Sequence, residues 1–279
     1  MTIDMGLEKI QHIIKYIEEN YNEDISIQKL EQLSNYSYRN AQRVFKNIFN
    51  ESLGAFQKRL KLENAYKKLI YTSDSITEIS YSVGFDSLQS FSKSFKKQFN
   101  ISPIKARLGK KDTFKSFIND YHEESKNIDC EVVFFKEIKV FYIGIQTKNY
   151  NSTEIELLWD KIDAIIEKKG TIEYFGIIVD QPLVTDMLKC RYEACIDKDP
   201  ANKEFFSTYI LGCKYAKYIH KGSYSLIEDT YRRIYKDWLF NSTLEFDSTP
   251  IIEHYVKNDY NTENIDDYIT EILVPIKKK

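Results

Sequence analysis

A repeat is the strongest constraint on this chain. Positions 50 apart in the first half carry the same residues: Ser37 and Ser87, Phe45-Lys46 and Phe95-Lys96, Phe49-Asn50 and Phe99-Asn100, Ser52 and Ser102. Each copy offers a short apolar segment, a turn, and a longer segment of helical period. In the first copy, Ile27, Leu30 and Leu33 precede Asn35-Tyr36. Ser37 then caps a helix with Ala41, Val44, Phe45, Ile48 and Phe49 on one face. In the second copy, Ser75-Ile76-Thr77-Glu78 has the form of a capping box and Gly84 suits a left-handed stop. Ser87 caps a helix bearing Phe91, Phe95 and Phe99. A stripe of Leu7, Ile10, Ile13, Ile14 and Ile17 predicts a helix ahead of both copies. Leu53 to Tyr71 predicts a long helix between them, and Ser102-Pro103 opens a last one. Two helix-turn-helix units in one all-α domain follow.

Charge divides the chain at the same place. Residues 1–111 hold 18 Lys and Arg against 12 Asp and Glu, a balance of +6; residues 112–279 hold 22 against 30, a balance of −8. A basic head points to a polyanionic partner that the acidic body does not share. The two helix-turn-helix units each set a second helix to enter the DNA major groove. On the face opposite Ala41, Val44 and Phe45 stand Tyr38, Arg39, Gln42, Arg43 and Lys46; the matching face of the second unit holds Leu88, Gln89, Ser90 and Lys93. Arginine suits guanine and glutamine suits adenine, so the first unit is expected to read bases and the second to position on phosphates. The 19 residues from Leu53 to Tyr71 make roughly 28 Å of helix, enough to hold two reading heads near one DNA turn (~34 Å) apart. The cations along it, Lys58, Arg59, Lys61, Lys67 and Lys68, are read as a solvated face.

The stretch 75–103 resembles the signature of AraC/XylS-family transcription regulators, and the likeness covers about residues 5–108. It departs at Glu31, where the family has a small residue, and at Asn35, where it has glycine. Asn tolerates the left-handed turn, whereas Glu31 is expected to loosen the first unit.

After a charged linker at about 109–128, with a short helix at 112–122, the pattern turns to strands. They are expected at 131–135, 140–145, 173–180, 188–196, 214–220, 250–257 and 268–276, with helices around 155–166 and 225–240. The order strand-helix-strand-strand thus occurs twice, about 75 residues apart, and predicts an α+β domain at 129–279. Its two halves would join their sheets and lay both helices on one side. Ile251, Glu253 and Tyr255 share one face of their strand by period two. A carboxylate among apolar and aromatic groups attracts a cation, and rings add cation–π attraction. Glu271, Tyr142, Trp159 and Trp238 are the further candidates.

This half resembles the GyrI-like domain, carried by Val179-Asp180-Gln181-Pro182, Lys221-Gly222-Ser223-Tyr224, Tyr235, Trp238, Pro250-Ile251-Ile252-Glu253-His254-Tyr255 and Glu271-Ile272-Leu273-Val274-Pro275-Ile276. Together the halves resemble regulators of the Rob type. The resemblance implies an activator with a multidrug-sensing body that binds a small lipophilic effector, cationic where Glu253 meets it. It implies double-stranded DNA as partner, RNA polymerase as a candidate partner, and no membrane. The alternatives are a GyrI-like hydrolase using Glu253 with Glu271 as base and acid, or a decoy that binds another protein.

No catalytic or metal chemistry is otherwise expected. His12, His122, His220 and His254 form no ligand cluster, and no nucleophile elbow or P-loop occurs. Cys130, Cys190, Cys195 and Cys213 suggest no disulfide framework. With no membrane span or signal peptide in view, a cytoplasmic protein without cofactor is expected.

Overall fold

The computed structural model describes residues 4–119, 128–166 and 171–277. The chain divides into two compact units, Met1–Leu108 and Gly109–Lys279. The side chain of Leu7, His122, and the end of the helix expected at 112–122 lie outside the described residues.

The first unit consists of α1 (Asp4–Glu19), α2 (Ile27–Ser34), α3 (Tyr38–Phe49), α4 (Leu53–Tyr71), α5 (Ile76–Ser82), α6 (Leu88–Phe99) and α7 (Pro103–Leu108). Local chemistry sets their ends. Ser37 and Ser87 accept the Asn40 and Ser90 backbone N–H groups, and Ser75 with Glu78 forms the full capping box. Asn35 turns left-handed at φ 52° after α2, as Gly84 does at φ 79° after α5. Glu31 does not crowd a helix contact. Its Oε1 accepts the Tyr38 N–H at 2.7 Å and so gives α3 a second cap.

The solvated face expected on α4 holds for Lys58, which is exposed, and is corrected for Arg59, Lys61 and Lys67. Arg59 is buried between Glu51 and Glu63, at 2.7 and 3.2 Å, and Lys67 is buried as well. Lys61 is half-buried and donates to the Gly84 carbonyl at 2.9 Å. The reason is position: α1, α3, α5, α6 and α7 all pack on α4, so a helix with helices around it keeps little open face.

The second unit begins inside the expected linker. Helix α8 (Lys110–Asn119) buries Phe114 against Tyr235 and Trp238, with ring centroids 4.8 and 5.8 Å away. Then come β1 (Glu131–Phe135), β2 (Ile138–Thr147), α9 (Ser152–Ile165), β3 (Tyr174–Ile178), β4 (Cys190–Ile196), β5 (Phe206–Ile210), β6 (Cys213–Lys221), α10 (Ile227–Phe240), β7 (Ile251–Lys257) and β8 (Ile269–Pro275). Strand β5 was not expected, because Phe206-Ser207-Thr208-Tyr209-Ile210 is short and follows a polar stretch. With it, the repeat is strand-strand-helix-strand-strand.

All eight strands form one antiparallel sheet in the order β1-β6-β8-β7-β3-β4-β2-β5. The halves meet where β3 pairs with β7. Each half also lends its leading strand to the other: β1 pairs with β6 and β5 with β2. Leu158 and Ile162 of α9 pack on Ile143, Tyr192 and Ala194. The opposite face carries a separate cluster that includes Tyr142, Phe175, Tyr215, Ile252 and Leu273.

Candidate functional site

In the first unit, α3 and α6 present matching faces. Residues 41–50 and 91–100 show the same sequence of buried, half-buried and exposed positions. Arg39, Arg43, Lys46, Leu88, Gln89, Ser90 and Lys93 are exposed, and Gln42 is half-buried. Arg43 Nη2 donates to Asn40 Oδ1 at 2.9 Å, which steers its guanidinium without neutralising it. Tyr38 stands apart: it is half-buried and packs on the cluster of Ile10, Leu30, Ala41 and Phe45.

In the second unit, register decides which candidates meet. Tyr218, Ile272, Glu253, Gly176, Ala194 and Ile143 form one row across the sheet, on the face that α9 covers. The adjacent row, on the other face, holds Glu271, His254, Phe175, Cys195 and Tyr142. Glu253 and Glu271 therefore point to opposite sides, and a base-and-acid pair made of the two is ruled out. Tyr142 is core on the far face. Glu271 there pairs with His254 at 3.1 Å and Lys217 at 3.6 Å, which together draw its carboxyl below the usual range. Trp238 is also apart from Glu253. It stacks on Phe246 at 4.6 Å and donates to the Leu244 carbonyl at 3.0 Å.

Glu253, Tyr255 and Trp159 do come together. Glu253 is 5% exposed. Its Oε1 accepts from the Tyr231 hydroxyl at 2.8 Å and its Oε2 from Tyr255 at 2.6 Å. Burial pushes the carboxyl up from its ordinary range, and the two hydroxyls pull the other way. Behind Tyr255 stands Tyr192, hydroxyl to hydroxyl at 2.8 Å, and Trp159 Nε1 donates to Tyr192 at 3.1 Å. Rings wall the carboxylate: Trp159 meets Tyr255 edge-on at 5.7 Å and Tyr224 meets it at 5.4 Å. Gly176 makes room, since a Cβ there would lie 2.5 Å from the Tyr192 hydroxyl and 2.8 Å from that of Tyr255.

Sequence reading missed Tyr231, Tyr192, Tyr224 and Gly176 as members of this site. Tyr231 carried a signal as part of an amphipathic helix. Tyr192 and Gly176 depend on register between distant strands, which no local pattern encodes, and Tyr224 lies in a short turn ahead of α10.

Comparisons with known proteins identify the family of this sheet domain. Residues 120–277 match the GyrI-like small molecule binding domain. The chain belongs to that family. Residues 31–108 match the helix-turn-helix domain, so the chain is an AraC-family regulator with a GyrI-like C-terminal domain, as the resemblance implied. YkgA of Escherichia coli (strain K12) is 33% identical over 136 residues, covering 47% of this chain and 56% of YkgA. The match thus spans little more than half of that relative. The multiple antibiotic resistance protein MarA of the same strain is 31% identical over 99 residues, covering 36% of this chain and 78% of MarA. The HTH-type transcriptional activator AarP of Providencia stuartii is 36% identical over 99 residues, covering 36% of this chain and 73% of AarP. Among the described residues, no helix is long and apolar enough to cross a membrane, and no group of His, Cys, Asp and Glu is arranged to hold a metal.

Proposed function

We propose that the chain activates transcription when a lipophilic cation occupies the Glu253 site. The observation that carries this reading is the Glu253 carboxylate, buried in a wall of rings and, among the described residues, hydrogen-bonded by tyrosine hydroxyls alone. Placing an ionised carboxylate in such surroundings is costly. An organic cation relieves the cost by charge, and Trp159, Tyr224 and Tyr255 add cation–π attraction. The separation of Glu253 from Glu271 supports binding without turnover.

For the head, we propose that Arg39, Gln42 and Arg43 read bases in one major groove. Gln89, Ser90 and Lys93 hold phosphates in the next, with Tyr38, Lys46 and Leu88 at the margins. Activation would bring RNA polymerase to the promoter, a role supported by the similarity to the transcriptional activator AarP.

Titration of the full chain with tetraphenylphosphonium tests the reading. Micromolar binding, about 8 kcal/mol, is expected. Glu253→Gln keeps the shape and removes the charge, and should weaken binding by one to two orders of magnitude, roughly 1.4–2.8 kcal/mol. Equal affinity in the two proteins would remove Glu253 from the site.

A further inference from the structure

The hydrogen bonds around Glu253 have a direction. An indole N–H can only donate, and an ionised carboxylate can only accept. Trp159 therefore donates to Tyr192, and Tyr192 has its own proton left to give. Tyr255 gives its proton to Glu253 Oε2, so the 2.8 Å contact between the two tyrosines runs from Tyr192 to Tyr255. The chain Trp159, Tyr192, Tyr255, Glu253 has one polarity from end to end. Gly176 leaves the space in which the two hydroxyls meet.

We infer that Tyr192, held by Trp159, is a positioning residue for ligand binding: it locks this donor chain toward Glu253 and so keeps the carboxylate charged for a cation. The inference rests on the cation reading of the same site.

The lock follows from what a protonated Glu253 would have to do. If its proton sat on Oε2, Tyr255 would have to turn its own proton toward Tyr192. Tyr192 would then turn toward Trp159, where it meets an N–H that cannot accept. The reversed chain loses a bond, and the charged form does not. Protonation at Oε1 instead would turn the Tyr231 hydroxyl away from the only acceptor it has among the described residues.

The groups facing Glu253 are Tyr231 from α10, Tyr255 from its own strand, Tyr192 from β4 through Tyr255, and Tyr224 from the short turn Tyr224–Leu226. Across the ladders, β3 and β8 bring Gly176 and Ile272, neither of which titrates. Among the described residues the groups facing this carboxylate are therefore hydroxyls, whose orientation works against the effect of burial.

The test uses the full chain with Trp238→Phe, which leaves Trp159 as the sole indole. Emission followed from pH 4 to 9 without ligand should titrate with Glu253. Adding Tyr192→Phe removes the lock and should move the midpoint upward by about one unit. In the same variant, tetraphenylphosphonium affinity should fall at pH 6 and recover toward pH 9. A tyrosine that merely fills space would lower affinity equally at every pH. If Tyr192→Phe does not fold, Trp159→Phe, which keeps a ring and removes the donor, should tilt the pH profile of cation affinity the same way. An emission that does not titrate, or a midpoint and profile unmoved by either change, overturns the inference. A wild type that binds no lipophilic cation overturns the cation reading instead, while the ligand-free midpoint still reports on the lock.

Discussion

A methyl group on Gly84 would stand 1.9 Å from the carbonyl oxygen of Asn22. Gly84 also sits at φ 79°, and Lys61 bonds its carbonyl from α4. One residue thus joins the turn of the second helix-turn-helix unit to the turn that follows α1 and to the central helix. Gly84→Ala should destabilise the first unit by about 2–4 kcal/mol, combining a left-handed alanine with a forced backbone shift. Chemical denaturation followed by helix signal reads this. A loss under about 1 kcal/mol would mean that α1 yields easily.

Glu253 should make the second unit less stable at neutral pH than it could be. Burial raises its folded pKa above the unfolded value of 4.5. Its favourable contribution is therefore complete below that value and is lost as pH rises through the folded pKa. Glu253→Gln should then raise the melting temperature at pH 8 by about 2 °C or more. Near pH 4 the two proteins should melt together. A variant that melts lower at pH 8 would show that the two tyrosine hydroxyls outweigh burial.

Glu271 should behave with the opposite sign. The hydrogen bond from His254 comes first among the causes that lower its pKa, and Lys217 adds to it. Its contribution is present above the unfolded value and is lost as pH falls through the folded one. Glu271→Gln should cost about 0.5–1 kcal/mol at pH 7, since the group is half-exposed, and nothing at pH 3. Its affinity for tetraphenylphosphonium should match wild type, because it faces the other side of the sheet. A tenfold loss of cation binding would contradict that placement.

Arg43→Ala should cost about 1–3 kcal/mol in DNA affinity and blur preference at one base position. Selection from a random DNA pool with wild type and variant measures both effects. A uniform loss across sequences, with a shallower salt dependence, would make Arg43 a phosphate contact instead.

The helical head was largely legible because its signals are local. Ser37, Ser75, Ser87 and Pro103 mark helix starts within a few residues of the groups they serve. The burial of Arg59 and Lys67 was not legible, because it depends on helices that arrive from both repeats. In the sheet, alternation placed Glu253 and Tyr255 on one face, and Glu253 proved buried and ringed. That Tyr142 and Glu271 belong to the other face required register across β2, β4, β3, β7 and β8. Trp238 looked like a pocket ring because a tryptophan in an amphipathic helix has no label for its neighbour. That neighbour is α8, in a stretch read as linker for its charge.

Gly176 and Glu253 are each the third residue of their strands, β3 and β7, and those strands hold the same place in the two repeats. They therefore occupy equivalent posts, and they face each other across the ladder. Had the half-chain once existed alone, the exchange of leading strands would have made it a homodimer, with one residue type filling both posts. Two glutamates there would stand about 5 Å apart and repel, and two glycines would leave no charge at all. Joining the copies in a single gene lifts that restriction. One post can hold the acid while the other is emptied to receive the hydroxyls that serve it, a division of labour closed to an assembly of identical halves.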